Sequence, residues 1–341
     1  MKPTVHDIAR SAGVSLATVD RVLNARPGVR EEMRARVEQA IASLGYVRDV
    51  AAANLAKGRV YPFVFILPVN DNPFMLEVRR EVEAAIARSG VERTRIEVVD
   101  IPPFETKALV QALDALAGRD VSGVAFVAID APDVRLAAAS VAAAGIPMVT
   151  LVSDLSQSAR DHYAGIDNIA AGRTAATLMG RFLGSGRGAI VPLAGSLMVR
   201  DHRERLEGFA EVMAENFPHL TILPAEEGRD DPALVQSVVS DVLRRHPDIC
   251  GIYSLGAGND GLFSVLEDKR LVAAPVVIVH ELTEASRAAI SAGTIDVVLN
   301  QDAGHEVRSA IRVLKAKADG LLVIAAQERI RIDIFLKDNL P

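Results

Sequence analysis

The fold of the N-terminal part is decided by residues 4–24, TVHDIARSAGVSLATVDRVLN. Thr4 can cap a helix whose apolar residues recur every three or four positions, and Gly13 then provides a turn. Ser15 is a second N-cap, and it opens another short amphipathic helix. Two short helices joined by a tight turn that contains glycine are typical of a helix-turn-helix motif. A third helix is predicted over residues 31–44.

Charge is distributed unevenly along the 341 residues. Residues 1–60 contain ten Lys or Arg and six Asp or Glu, a net charge of +4, whereas the remainder has a net charge of −10. A basic segment on an acidic chain favours a nucleic acid as the partner of that segment. The alternative is a small three-helix bundle that has no role in DNA binding.

The second helix of a helix-turn-helix motif enters the major groove of DNA, where residues near its N-terminus meet base edges. Arg21 can donate two hydrogen bonds to a guanine, whereas Leu16 and Ala17 can make only apolar contacts, for example with a thymine methyl group. Asp20 would reduce the affinity for phosphates unless it accepts a hydrogen bond from a cytosine amine or pairs with Arg21.

From residue 60 onward, apolar strand-like runs alternate with helical patterns. This alternation predicts an α/β fold with parallel sheets covered by helices on both faces. About 280 residues are many for one such sheet, so we expect two doubly wound subdomains with a ligand cleft at the carboxyl ends of their strands. The strand-like runs are residues 61–68, 94–100, 123–128, 147–151, 189–193, 249–255, 275–280, 295–299 and 330–336.

Composition disfavours several classes of protein. No apolar run reaches the ~18 residues that a membrane helix needs. Residues 1–10 contain His6, Asp7 and Arg10 where the apolar part of a signal peptide would begin. The single cysteine, Cys250, is consistent with a reducing compartment and excludes a cysteine-based zinc site. We therefore expect a cytoplasmic protein with no membrane partner, no metal and no cofactor.

The first 60 residues resemble the head of the LacI/GalR family of bacterial transcription regulators. The resemblance is carried by residues 4–24, by a basic third helix that ends in LGY, and by VAAANLA at residues 50–56. It implies a DNA-binding domain over residues 1–48 and a hinge helix with linker over residues 49–59. The residues that it places on DNA are Thr4, Ser15, Leu16, Ala17, Thr18, Asp20, Arg21, Asn24, Ala52 and Leu55.

Two of these residues belong to the hinge. By the resemblance, Leu55 inserts into the minor groove as a wedge that kinks the duplex, and Ala52 lets two hinge helices approach closely. The hinge helix, residues 49–56, has eight residues, which are too few to be helical alone in water. The helix would therefore form only when two copies pack together on DNA. A flexible linker is the alternative interpretation.

The body, residues 60–341, resembles the effector-binding and dimerising domain of that family, which has the fold of type I periplasmic binding proteins. The similarity is greatest to ribose-binding members, in which an Asn binds a sugar hydroxyl and an aromatic ring stacks on the sugar. The expected N-subdomain spans about 60–164 and 300–325, and the C-subdomain about 165–299 and 326–341. The expected ligand contacts are Asn72, Phe74, Asp130, Ser153, Arg203, Asn259, Glu281 and Gln301.

Two positions depart from the family's pattern. Glu281 stands where the family has Asp, and its longer side chain would shrink the pocket or shift the ligand. The preceding residue, His280, is a candidate for a group that gains or loses a proton near neutral pH. Val152 replaces another Asp, and Ser153 and Asp154 follow as possible substitutes. The loss of a carboxylate argues against a plain ribose or lactose-like ligand. The family's effectors are sugars, polyols or, in some branches, nucleobases.

Residues 256–261, GAGNDG, match the pattern GxGxxG, and Glu281 lies twenty residues beyond Gly261. This spacing is found in dinucleotide sites, so a cytoplasmic NAD-dependent enzyme is an alternative. Two observations oppose it: the motif lies two-thirds along the chain, and by the resemblance Arg203 and Gln301 already form a sugar site with Asn259.

Together these patterns predict a regulator that is not an enzyme and represses a sugar or polyol operon. A small hydroxylated ligand in the cleft is expected to release it from operator DNA. Co-repression by the ligand is an alternative, and a transport binding protein is another. A homodimer is expected because no leucine heptad follows the terminal strand and because a dimer suits a pseudo-palindromic operator.

Overall fold

The computed structural model describes residues 3–46, 54, 58–157, 159–267 and 274–341. The chain divides into two compact units, residues 1–59 and residues 60–341. Ala52 and Leu55, which are expected to contact DNA, lie outside the described residues. None of the helices in these ranges is long and apolar enough to cross a membrane.

The head consists of the three predicted helices. They are α1 (Val5–Ala12), α2 (Leu16–Leu23) and α3 (Glu31–Leu44). Thr4 caps α1 in a reciprocal capping box with Asp7, and the Ser15 side chain accepts a hydrogen bond from the Thr18 amide at the start of α2. Gly13 takes up the left-handed conformation that the turn requires, with φ 62°. The core between the helices is formed by Ile8, Ala12, Val19, Val37 and Ala40.

The first half of the body forms a five-stranded parallel sheet in the order β2-β1-β3-β4-β5. Apolar side chains on both faces of the sheet are buried beneath helices. The strands are β1 (Tyr61–Pro68), β2 (Thr94–Ile101), β3 (Gly123–Val127), β4 (Met148–Leu151) and β5 (His162–Ala164). The helices are α4 (Pro73–Ala87), α5 (Ser89–Glu92), α6 (Thr106–Asp114) and α7 (Pro132–Ala143).

The second half forms a sheet in the order β12-β11-β10-β9-β6-β7, with β8 paired to β6. Its strands are β6 (Gly188–Ala194), β7 (Leu220–Ile222), β8 (Glu226–Glu227), β9 (Ile249–Ser254), β10 (Val276–His280), β11 (Val297–Asn300) and β12 (Asp333–Phe335). Its helices are α8 (Asn168–Leu183), α9 (Arg200–Asn216), α10 (Pro232–Arg245), α11 (Asn259–Leu266) and α12 (Glu284–Ala292).

The chain crosses between the two sheets three times. It passes from β5 into α8, from β11 into α13 (Ala303–Ala318), and from α13 back to β12. Helix α13 packs on the first sheet through Val307, Ile311 and Leu314. The two doubly wound subdomains expected from the sequence are therefore present. Strand β12, however, pairs antiparallel to β11, whereas the other strand pairs are parallel.

Three short strands, β5, β7 and β8, did not follow from the sequence pattern. Each has two or three residues, which is too short for a period of alternation to be recognised. These strands lie at or beside the edges of their sheets, where partner strands rather than local sequence decide the pairing.

Two glycines allow helices α8 and α9 to touch backbone to backbone. A Cβ atom on Gly172 would lie 1.9 Å from the carbonyl oxygen of Arg205, and one on Gly208 would lie 2.2 Å from that of Ile169. Because these neighbours are main-chain atoms, a side chain at either position would push the helices apart. This close contact between α8 and α9 fixes the distance between Arg205 and the second sheet.

We expect Gly172→Ala to lower the free energy of unfolding by about 2 kcal/mol, because the methyl group overfills the contact between α8 and α9. Gly90→Ala is the matched control, since a Cβ atom there meets nothing within 4 Å. Urea denaturation of the two variants followed by circular dichroism measures the difference. Equal midpoints would show that the helices adjust without cost.

Candidate functional site

The carboxyl ends of strands from both sheets face a cavity of about 160 Å³. A cavity of comparable volume in another protein admits benzene, so this one has room for a six-membered ring. Its lining combines residues that follow β1, β2, β3 and β4 with residues that follow β9, β10 and β11 and with the first turns of α9. A ligand here would touch both subdomains, as expected for a doubly wound fold.

Six of the eight residues predicted to contact a ligand line this cavity. The six are Asn72, Phe74, Ser153, Asn259, Glu281 and Gln301. Phe74 is 5% exposed, so its ring forms part of the wall. Arg203 and Asp130 do not belong to the lining. The structure thus brings together most of the predicted site, but Arg203 and Asp130 lie outside the cavity lining.

Arg205, two residues further along α9, lines the cavity in place of Arg203. Each residue of an α-helix advances by about 100°, so residues two apart point to opposite sides of the helix. Arg205 is 3% exposed, while the side chain of Arg203 is 41% exposed. The expectation that Arg203 reaches the ligand is corrected accordingly, because the helical phase gives that position to Arg205.

Arg205 is held by the backbone and side chains of three elements. Its Nε donates to Oδ1 of Asn168 at 2.9 Å, and its Nη1 donates to the carbonyl oxygen of Leu255 at 3.0 Å. Its Nη2 lies 3.9 Å from Oε1 of Glu281 and has no hydrogen-bond acceptor among the described residues. The guanidinium is therefore fixed in position with one donor nitrogen still to be satisfied.

Asp130, at the end of β3, joins the two subdomains outside the cavity. Its Oδ2 accepts a hydrogen bond from Nη2 of Arg203 at 2.9 Å, and its carboxylate also accepts from Ser156 and Arg135. Burial raises the pKa of Asp130, but the hydrogen bonds from Ser156 and Arg135 outweigh it and leave the pKa below its ordinary value. Asp130 and Arg203 thus form an ion pair across the cleft, and Asp130 does not line the cavity.

Asn72 makes a second connection across the cleft. Its Oδ1 accepts from the amides of Phe74 and Met75, which caps α4, and its Nδ2 donates to Oδ2 of Asp230 at 2.9 Å. Asp230 follows β8 in the second subdomain and also accepts from the Ala257 amide. An opening of the cleft would break this bond together with the Asp130–Arg203 pair.

Glu281, just after β10, is a buried carboxyl group. Burial raises its pKa to about 7, and Arg205 and Gln301 oppose that rise. Nε2 of Gln301 donates to Oε1 of Glu281 at 2.8 Å. Glu281 is thus partly protonated near neutral pH when the cavity holds no ligand.

Backbone strain occurs in the cavity wall. Phe104, Val152, Asp230 and Glu281 all have left-handed backbone conformations, with φ values of 57°, 62°, 59° and 69°. Such values are unfavourable for non-glycine residues, and most of all for a β-branched residue such as Val152. Strained residues of this kind cluster at ligand sites, where the surrounding structure holds them in place.

The two departures noted in the sequence have different outcomes. His280 is buried, with its Nε2 2.9 Å from the Tyr253 hydroxyl. Burial and the nearby Arg205 hold its pKa well below the ordinary value, so His280 is neutral at pH 7 and does not titrate there. Of the two substitutes for the missing Asp, Ser153 lines the cavity, whereas Asp154 pairs with Arg160 and Thr150.

Five buried polar atoms of the lining have no hydrogen-bond partner among the described residues. An unsatisfied buried polar atom costs about 1–3 kcal/mol, so a wall with several of them is expected only where a polar ligand completes them. Both donors and acceptors occur, which suits a ligand that has several hydroxyl groups. The atoms are Ser153 Oγ, Asp201 Oδ1, Arg205 Nη2, His280 Nδ1 and Gln301 Oε1.

The polar or aromatic lining residues that were missed from the sequence include Phe104, Asp201, Arg205 and Asp230. A spacing of four residues, which places Asp201 and Arg205 on one face of a helix, was the signal available for that pair. Phe104 and Asp230 carried no such signal, because each lies in a loop whose path depends on its surroundings.

The first turn of α2 presents an exposed surface on the head. Leu16 is 42% exposed, and Ala17 and Arg21 are exposed beside it. The carboxylate of Asp20 accepts hydrogen bonds from Asn24 at 2.7 Å and from Arg26 at 3.2 Å, so its partner is not Arg21. Thr4, Ser15 and Thr18 lie at the N-termini of α1 and α2.

The glycines of the GxGxxG stretch are explained by packing within the protein. A Cβ atom on Gly256 would lie 2.4 Å from the amide nitrogen of Gly195, and one on Gly261 would lie 1.9 Å from the carbonyl oxygen of Pro232. In a dinucleotide site, the pyrophosphate approaches the glycine backbone. Here the neighbouring strand and helix occupy the space over Gly256 and Gly261.

Comparison with known families agrees with both units. Residues 4–49 match the family of bacterial regulatory proteins named after lacI, and residues 63–322 match the periplasmic binding protein domain. The chain carries a lacI-family regulatory domain and, over most of its length, a periplasmic binding protein domain. The predicted family and fold class are thereby confirmed.

Curated relatives of this LacI-family chain are transcriptional regulators. The regulator DegA of Bacillus subtilis is 27% identical over 216 residues, which cover 63% of this chain and 62% of DegA. The ribose operon repressor of Halalkalibacterium halodurans is 29% identical over 251 residues, 74% of this chain and 71% of that repressor. The first curated relatives are matched over 37% to 62% of their own length. DegA and the ribose operon repressor are named as regulators, and neither is named as an NAD-dependent enzyme.

A solved structure supports the fold of the body. A solute binding protein of an ABC transporter from Burkholderia graminis, in complex with D-arabinose, superposes with a TM-score of 0.74. It is 24% identical and covers 83% of this chain and 97% of its own. The body of this LacI-family member therefore has the fold of periplasmic sugar-binding proteins.

Proposed function

We propose that this protein is a transcriptional regulator in which a small hydroxylated ligand, bound in the cavity, changes the affinity of the head for operator DNA. The observation that carries the proposal is the pairing of two features in one chain. A helix-turn-helix head exposes Leu16, Ala17 and Arg21, and a binding-protein fold encloses a cavity with unsatisfied polar atoms.

The regulated genes are proposed to be an uptake or catabolism operon for a sugar or polyol, with the protein as its repressor. Two of the relatives are named as ribose operon repressors. Ligand contacts that span the cleft favour the closed arrangement, because Asn72 and Asp230 face each other from opposite subdomains. A change in closure of this kind typically alters DNA affinity by about 5–150-fold.

The protein is proposed to act as a homodimer in the cytoplasm, where bacterial DNA is located. Two copies of the head would read two half-sites of a pseudo-palindromic operator. Sedimentation of the full chain at micromolar concentration measures the oligomeric state, and a monomer that binds operator DNA with full affinity would contradict the dimer.

The experiment that tests the proposal is fluorescence anisotropy with DNA from the gene's own upstream region. The full chain is bound to this DNA at moderate salt and then titrated with sugars and polyols. Release by one compound establishes an inducible repressor, and tighter binding establishes co-repression. Binding that no compound changes, or no preference for this DNA over unrelated DNA, would contradict the proposal.

We expect Leu55→Ala to weaken operator binding and to reduce DNA bending, because the proposed wedge loses the side chain that unstacks a base step. Ligand affinity should not change, because the cavity is built from residues beyond position 60. Circular-permutation gel shifts report bending, and isothermal titration reports ligand affinity. An unchanged bend angle would remove Leu55 from the wedge role.

A further inference from the structure

We infer that the ligand of this cavity carries a basic amine as well as hydroxyl groups, as an amino sugar does. This inference rests on the proposed function, since it names the chemical class of the ligand for the same cavity. It starts from the charges in the lining. The lining contains a single Arg or Lys, Arg205, against five carboxyl groups, which are Asp71, Asp201, Asp230, Asp260 and Glu281.

Most of these carboxyl groups already have partners or contact water. Oε1 of Glu281 lies 3.9 Å from Arg205 and accepts from Gln301, and Asp230 accepts from Asn72 and Ala257. Asp71 and Asp260 are exposed. None of these four therefore requires a positive charge from a ligand.

Asp201 is different. It is 6% exposed, and its Oδ1 has no hydrogen-bond donor among the described residues. It lies in the first turn of α9, near the positive end of the helix dipole. The nearest basic atom to its other oxygen is Nε2 of His202, at 3.7 Å, and a histidine is charged only when protonated. Among the described residues, therefore, no Arg or Lys nitrogen lies within 4 Å of this buried carboxyl group, and Oδ1 lacks a hydrogen-bond donor.

An ammonium group suits this carboxylate better than a hydroxyl does. A hydroxyl would satisfy the hydrogen bond of Oδ1 but leave the buried charge without a counter-charge. An ammonium supplies both, in a charge-assisted hydrogen bond of about twice the strength. Acidic ligands, such as sugar acids and sugar phosphates, are disfavoured because Arg205, the only Arg or Lys of the lining among the described residues, already faces Glu281.

The size of such a ligand follows from the helix. Asp201 and Arg205 are four residues apart on α9, so their side chains lie on one face about one turn apart. The rise over four residues is about 6 Å, which is close to the width of a monosaccharide ring with its substituents. The amine would face Asp201, while a ring or hydroxyl oxygen would accept from Nη2 of Arg205.

The test compares three matched series of probes on the full chain at pH 7. The amines are D-glucosamine, D-galactosamine and D-mannosamine, the parents are D-glucose, D-galactose and D-mannose, and the acids are D-glucuronate and D-galacturonate. Isothermal titration gives the affinities. We expect at least one amine to bind ~30-fold or more tightly than its parent and no acid to bind as tightly as an amine.

Variants of the full chain assign the preference to one carboxylate. Asp201→Asn should bring the amine and its parent to within ~3-fold of each other. Glu207→Gln, which removes one carboxylate charge from an exposed position of the same helix outside the lining, should keep the preference. Asp201→Glu retains the charge and should retain the preference, and operator binding by each variant shows that it is folded.

Each remaining outcome counts against the inference in its own way. A parent sugar or a sugar acid that binds best would overturn the amine while leaving a hydroxylated ligand and the proposed function in place. A preference that survives Asp201→Asn would overturn the assignment to Asp201. If the wild-type chain binds no compound of any series, the inference and the proposed ligand class both fail.

Discussion

Arg205→Met should lower the affinity for the compound that changes operator binding by at least ~100-fold. The substitution removes the only guanidinium in the cavity lining and leaves Glu281 buried without its counter-charge. A hydrogen bond to a charged group contributes about 1.5–3 kcal/mol, and a factor of 100 corresponds to about 2.7 kcal/mol. Isothermal titration of the full chain measures the loss directly.

The matched control is Arg203→Met, two residues away on the same helix. Arg203 pairs with Asp130 across the cleft, is partly exposed and does not line the cavity, so we expect the affinity to fall by ~5-fold or less. Equal effects of the two substitutions would show that closure of the cleft, and not contact with the ligand, dominates binding.

Arg205 also supports the fold, because it binds Asn168 and the carbonyl oxygen of Leu255. Arg205→Lys therefore serves as a second variant that retains the charge but loses the fixed guanidinium geometry. Operator affinity without ligand and the thermal midpoint show whether each variant is folded. A folded Arg205→Met variant with wild-type ligand affinity would remove Arg205 from the site.

Without ligand, the protein should lose stability relative to a Glu281→Gln variant as the pH rises from about 4.5 to 7. Burial raises the pKa of Glu281 from 4.5 to about 7, so the folded state retains a proton that the unfolded chain releases. This contribution is therefore fully present below pH 4.5 and is lost as the pH rises toward 7. Its size over that range is about 3 kcal/mol.

Urea denaturation of both proteins at pH 5, 6, 7 and 8 measures this difference. Glu284→Gln is the control, because Glu284 is exposed at the start of α12, and its difference from wild type should stay constant across the series. A flat difference for Glu281→Gln as well would show that the carboxyl group is ionised throughout and that Arg205 compensates its burial.

The contribution of Glu306 to stability should change with pH in the same direction as that of Glu281. It lies in α13, is fully buried, and neither of its carboxyl oxygens has a hydrogen-bond donor among the described residues. Burial, with a further contribution from the charge of Glu281, raises the pKa of Glu306 well above its ordinary value. Glu306→Gln should therefore stabilise the protein at pH 8 more than at pH 5, as the same denaturation series would show.

The local sequence was sufficient wherever a structural feature depends on neighbouring residues. The three helices of the head are defined by N-caps at Thr4 and Ser15, by a turn at Gly13, and by apolar residues that recur every three or four positions. In the body, apolar strands separated by helices define the α/β class, since each element shows its own period. The family followed from the same residues, because a helix-turn-helix head before such a body is specific.

The resemblance to the family also predicted six residues of the cavity lining. Asn72, Ser153, Glu281 and Gln301 each follow a strand, and parallel strands bring the residues that follow them to one edge. The arginine of α9 that lines the cavity was not identified correctly, because Arg203 and Arg205 both fit the same motif. Only the packing of α8 against α9, set by Gly172 and Gly208, determines which of the two faces inward.

What the sequence by itself determined is therefore the type and order of most elements, the division into head and body, and the family. The short strands β5, β7 and β8 are exceptions. Tertiary structure alone decided which side chains share the cavity and that Asp130 pairs with Arg203 across the cleft. It also decided that Oδ1 of Asp201 is buried without a hydrogen-bond donor among the described residues. The physical reason is the distance along the sequence over which each interaction acts. Caps and periods act over a few residues, whereas burial and pairing depend on residues far apart in sequence that meet only when the two sheets come together.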